Sequence, residues 1–213
     1  VLSSFGNLIA TESRQKQYEI FKVYRFFACW IYGFSATGFL LLLTPLVWLW
    51  LGPSNVLPVA AVTCILIDYY FKGERIVLSN FKTAAGVFEQ DKYPALIQGA
   101  VNLVVSIVLV QRIGLAGVYI GTIVSGLIAN ITKPIIIYRV CFEIRAKDYF
   151  LDSMKFLAVL GGTFAILYGI RKVLMPQISI LSFGIMFVVI CVIFNGVFLL
   201  VFGRTQEFQY LWG

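Results

Sequence analysis

The chain has 213 residues, of which 60% are hydrophobic and 13% charged, with a mean hydropathy of +0.90. An average soluble domain is about 45–50% apolar and about 25% charged, so a soluble enzyme and a nucleic-acid-binding module are both excluded. The net charge of +7 reads instead as the loop bias of an inserted protein, in which Lys and Arg collect on the cytoplasmic side.

At about 20 apolar residues per crossing, the composition allows about six membrane spans. The chain begins at Val1 without a methionine and is read as a fragment whose N-terminal part is missing. Residues 1–23 suit the end of an earlier span followed by a charged cytoplasmic segment. The first complete span is expected at 24–51, with Thr44-Pro45 as a kink, Trp48 and Trp50 at headgroup depth, and Gly52-Pro53-Ser54 as a tight turn. The second begins near Val56, where Asp68, Lys72, Glu74 and Arg75 interrupt the apolar run. Two readings stand: a helix over 56–72 followed by a cytoplasmic loop, or one continuous helix over 56–88. Further spans are expected at 95–110, 114–138, 149–170 and 178–202, with short turns at Gln111 to Ile113 and at Met175 to Gln177. Of the 17 Lys and Arg, fourteen fall in segments on one side of this map and three on the other. That bias places both ends of the chain in the cytoplasm. The fold expected is therefore an all-α, polytopic transmembrane bundle forming a single domain.

Histidine is absent, which removes the commonest general base and metal ligand. The four cysteines, Cys29, Cys64, Cys141 and Cys191, are far apart and form no CxxC pair, so they read as packing residues. No nucleophile elbow, phosphate-binding glycine loop or carboxylate cluster is present, and neither an enzyme nor a cofactor or metal is expected.

Function then rests on polar residues within apolar helices, because a charge at mid-membrane costs about 2.5 kcal/mol or more and persists where it meets a cavity or a partner. If the second helix is continuous, Asp68, Lys72, Arg75, Ser79 and Lys82 recur at helical spacing on one face. Asp68 and Lys72 are spaced to pair, and Lys72, Arg75 and Lys82 make a cationic ladder suited to an anionic headgroup. The competing reading is an ordinary solvated charge run. A second stripe is Tyr119, Thr122, Gly126, Asn130 and Lys133; beside it, Gly117 and Gly121 form a GxxxG pair suited to close helix approach. Asn102 and Ser106, one turn apart, read either as cavity residues or as a bridge between helices.

Two stretches carry a resemblance. Gly6 to Ser13, followed by a Phe-rich span ending in Trp50, Leu51 and Gly52, is similar to the later half of bacterial polysaccharide-unit flippases of the Wzx type. More specific is Asn80 to Gly126, with Phe81 to Phe88, Asp91 to Pro94, Asn102 to Leu109 and Gly114 to Ser125 in succession. The resemblance covers about the first 140 residues and implies the multidrug/oligosaccharidyl-lipid/polysaccharide exporter superfamily, in which two helical lobes flank a central cavity. This chain would be most of the C-terminal lobe, partnered by its own N-terminal lobe and by the bilayer of the bacterial cytoplasmic membrane. The implied cargo is a polyprenyl-pyrophosphate-linked oligosaccharide, moved by alternating access, with polysaccharide polymerase and chain-length machinery as further partners. Lys72, Arg75 and Lys82 would hold the pyrophosphate, Asn102, Tyr119, Asn130 and Tyr69 would meet sugars, and Asp68 would serve ion coupling. Where relatives often carry arginine this chain has Lys82, which keeps the charge without the bidentate grip. The alternatives are a drug or cation antiporter of the same superfamily, a membrane-embedded glycan polymerase or ligase, and a structural subunit.

Overall fold

The computed structural model describes residues 2–212, and among these every regular element is helical. The helices are α1 (Leu2–Thr11), α2 (Arg14–Leu51), α3 (Val59–Ala84), α4 (Lys92–Ile113), α5 (Leu115–Cys141), α6 (Lys147–Leu174), α7 (Ile180–Phe202) and α8 (Gln206–Trp212), with a 3₁₀ turn at Pro53–Asn55. Five of them, α2, α4, α5, α6 and α7, are long and apolar enough to cross a membrane, so the chain has the helices of a multi-pass membrane protein. At 26 residues, α3 is also long enough, about 39 Å at about 1.5 Å per residue, but it carries five charged side chains.

Local chemistry explains most of the boundaries. The Ser13 hydroxyl caps α2 by accepting from the Lys16 amide at 3.3 Å, so the charged segment expected to precede the first span is its first three turns. Gly52, at φ 87°, ends α2, and Gly86, at φ 70°, follows α3; both conformations lie in the left-handed region that glycine enters without Cβ strain. The helix does not stop at Gly73 but runs through the charged residues to Ala84. The expected turn at Gln111 to Ile113 is helical as well: α4 continues to Ile113 and the reversal is made by Gly114 alone, at φ 65°. A capping box between Ser179 and Ser182 opens α7.

The helices pack as a row. α2 lies between α3 on one side and α6 and α7 on the other, α3 packs in turn on α5, and α5 on α4. Two cores result. One joins Phe5, Phe21, Val77, Leu78, Phe81, Tyr138 and Phe142 from α1, α2, α3 and the α5 end; Phe81 stands 5.3 Å from Phe5 and 5.0 Å from Phe142, ring to ring. The other joins Phe26, Leu41 and Leu42 of α2 to Met186, Ile190, Phe194, Phe198 and Phe202, every fourth residue along α7. Trp30 stacks on Phe198 at 5.0 Å and donates its ring N–H to Asn195 at 3.0 Å. By contrast α4 buries no residue at all.

Candidate functional site

Two faces of α3 carry the charges. The first holds Tyr70, Glu74, Val77 and Phe81, each at most 4% exposed, and it turns toward α2 and α6. There Arg25 of α2 donates from Nη2 to Glu74 Oε1 at 3.2 Å, to the Tyr149 carbonyl at 2.8 Å and to Ser153 Oγ at 2.7 Å. Ser153 also bonds Glu74, Asp152 approaches Arg25 at 3.8 Å, and the guanidinium stacks over the Tyr149 ring at 3.7 Å. Arg25 is 3% exposed and Glu74 4%, so this is a buried ion pair, bonded at Nη2 to three oxygens and with Nε left without a partner among the described residues. A buried pair of this kind is tolerated only when such bonds compensate for lost hydration. Sequence reasoning placed Arg25 among the cytoplasmic loop cations and missed the network. The available signal was the spacing of Phe21, Arg25 and Cys29 on one face of α2.

Between these partners α3 and α2 approach closely at Gly73, where an added Cβ would collide with the Tyr32 ring. Gly73, which the sequence offers as a helix end, is a notch for an aromatic side chain. Tyr69 stands beside Tyr32 at 5.1 Å and shares a hydrogen bond of 3.0 Å with Ser35.

The second face of α3 is the predicted stripe, and it meets the predicted stripe of α5. Arg75 Nη1 donates to the Gly126 carbonyl at 2.5 Å, near the middle of α5. A Cβ at Gly126 would stand 3.3 Å from that nitrogen, so the missing side chain leaves room for the guanidinium. Further along the pair of helices, Lys133 Nζ donates to Ser79 Oγ at 3.2 Å. Asp68 and Lys72 form the i,i+4 ion pair at 2.6 Å, with the Lys72 side chain 59% exposed and that of Asp68 12%. Lys82 pairs with Asp91, whose side chain is 5% exposed, at the start of α4. The face thus holds four cations against two carboxylates, and Arg75 and Lys133 have neutral oxygen partners only among the described residues.

The remaining candidates lie elsewhere on α4 and α5. The Asn102 amide donates to Ser125 Oγ at 3.0 Å and to Thr122 Oγ1 at 3.4 Å, so this side chain bridges α4 and α5. The Ser106 hydroxyl reaches the Val118 carbonyl at 3.5 Å. Close approach is permitted by Gly117 and Gly121, whose added Cβ atoms would strike the Leu109 backbone and Ser106. Tyr119 and Asn130 are half-buried and make no side-chain hydrogen bond among the described residues. Among those residues no three His, Cys, Asp or Glu side chains converge as metal ligands would.

Comparison with known protein families, with curated proteins and with solved structures finds no match.

Proposed function

We propose that the chain is one lobe of a non-enzymatic translocator in the bacterial cytoplasmic membrane, with both ends cytoplasmic. Its cargo is a polyprenyl-pyrophosphate-linked oligosaccharide destined for capsule, O-antigen or exopolysaccharide. The observation that carries this reading is Arg75, a guanidinium set beside the middle of a span-length helix and hydrogen-bonded to a backbone carbonyl. A permanent charge at that depth is costly unless something there uses it. Guanidinium has five donors in a planar fork, and Gly126 takes one, so Arg75 retains the means to hold phosphate oxygens in pairs. Lys72 and Lys82 flank it as point charges, and both can exchange a carboxylate partner for a pyrophosphate.

Carrying sugar hydroxyls across hydrocarbon unaided costs several kcal/mol for each unsatisfied group, so a hydrated cavity between two lobes is the physical requirement. Rocking of one lobe against the other then exposes the cavity to each side in turn. Tyr119 and Asn130 are left to meet sugars, whereas Asn102 is spent on holding α4 to α5. An antiporter for cationic drugs fits less well, because it needs free carboxylates and both Asp68 and Asp91 are tied to lysines.

In the full-length protein, Arg75→Ala is expected to abolish surface polysaccharide and to build up lipid-linked precursor in the cytoplasmic leaflet, with Arg75→Lys intermediate and protein level unchanged in the membrane. Normal polysaccharide without precursor build-up in the Ala variant removes the reading.

A further inference from the structure

We propose that the cleft between the end of α5 and the start of α6 binds the headgroup of an anionic phospholipid. The cleft has a volume of about 350 Å³ and is walled by Ile135, Arg139, Ile144, Arg145, Lys147 and Phe150. Its three cations are exposed, and none forms an ion pair among the described residues. The one carboxylate of the connecting turn, Glu143, is engaged by Arg14 of α2. Asp148 follows Lys147 but does not wall the cleft.

The turn sets this arrangement. Glu143 holds φ at 58°, and the Ile144 amide donates back to the Tyr138 carbonyl at 3.1 Å, one residue further back than the six-residue bond that closes many helix ends. The reversal gathers Arg139, in the last turn of α5, with Arg145 and Lys147, which flank the start of α6, around one opening. Two guanidinium groups supply planar pairs of donors for phosphate oxygens, and Lys147 adds a point charge.

The apolar part of the rim selects a lipid over a free anion. Ile135 is 47% exposed and Ile144 39%, and α5 is long and apolar enough to cross a membrane, so these side chains lie where a membrane-spanning helix leaves the hydrocarbon. A molecule with a phosphate and an acyl chain satisfies both the cations and the isoleucines, whereas inorganic phosphate satisfies only the cations. Basic pockets at the cytoplasmic ends of membrane helices attract anionic headgroups through the same combination. The inference stands apart from the cargo proposed above, since Lys72, Arg75 and Lys82 do not wall this cleft.

The test uses the full-length protein in neutral phosphatidylcholine nanodiscs titrated with phosphatidylglycerol, with retained lipid counted by native mass spectrometry. The triple exchange Arg139→Ala/Arg145→Ala/Lys147→Ala is compared with Lys16→Ala/Lys92→Ala/Arg204→Ala, which removes equal charge. The cleft variant is expected to retain phosphatidylglycerol at least about tenfold more weakly than the wild type, and the control variant within about twofold of it. Equal weakening in both triples overturns the proposal in favour of a diffuse surface field. Displacement of the lipid by millimolar inorganic phosphate overturns it in favour of a plain anion site. Should the cleft triple fail to assemble, the single exchange Arg145→Glu at an exposed position is read against Arg204→Glu by the same criteria.

Discussion

The two faces of α3 use the same residue types toward opposite ends. Toward α2 and α6, Arg25 and Glu74 are shut away from solvent and their bonds close on one another across three helices. Toward α5, cations outnumber carboxylates, Lys72 is largely exposed, and Arg75, although only 7% exposed, leans on a backbone carbonyl and not on a carboxylate. Charge in a membrane helix divides by the partners it meets. A charge buried against an opposite charge is part of the scaffold, and a charge whose partners are neutral or exchangeable is available to a ligand. Glu74 and Arg75 are sequence neighbours and fall on opposite sides of that division.

Breaking the closed face gives the largest effect on stability. Glu74→Ala or Arg25→Ala leaves one buried charge alone and is expected to cost about 3–5 kcal/mol, whereas Arg25→Met/Glu74→Leu recovers most of it. Thermal unfolding in detergent of the two singles and the double measures this, and additive losses would show that the pair is not coupled. The close helix approach beside it comes next. Gly73→Ala drives a methyl into the Tyr32 ring and is expected to cost about 1–3 kcal/mol. The same substitution in a Tyr32→Ala background should cost little, as read from the difference in unfolding midpoints.

The bridge between α4 and α5 is weaker still. Asn102→Ala is expected to lose about 0.6 kcal/mol and at most about 1.7 kcal/mol, the range for hydrogen bonds between membrane helices, measured in a cycle with Ser125→Ala. Lys72→Ala removes the exposed half of an ion pair whose other half, Asp68, has a side chain only 12% exposed; the expected cost is about 1 kcal/mol, while the polysaccharide export proposed above falls at least about tenfold if this face meets cargo. Normal export in that variant would place Lys72 with the scaffold.

The open face is legible in the sequence because its signal is periodic. Asp68, Lys72, Arg75, Ser79 and Lys82 repeat at helical spacing, as do Gly126, Asn130 and Lys133, and a helix places such residues on one side whatever surrounds it. That the two stripes meet, at Arg75 with Gly126 and at Ser79 with Lys133, is a pairing no single helix encodes. The closed face is illegible for the same reason: Arg25 finds Glu74 and Ser153, far along the chain on α3 and α6, and at its own position it looks like one more cation after a charged run. Gly73 misleads because glycine ends helices and also lets them touch, and only Tyr32 decides which role applies. The extension of α4 through Gln111 and Arg112 shows that a polar pair near a helix end is not a turn when one glycine suffices for the reversal.

That reversal bears on how the protein is made. α4 buries no residue and is joined to α5 through one glycine, with the small faces of Gly117 and Gly121 and the Asn102 amide matched across the pair. The two helices carry each other's polar partners, so they can leave the insertion machinery as a finished hairpin, with Asn102 already satisfied when it enters hydrocarbon. The α2–α3 pair has no such independence: Arg25 and Glu74 wait for Ser153 on α6, which emerges from the ribosome long after both.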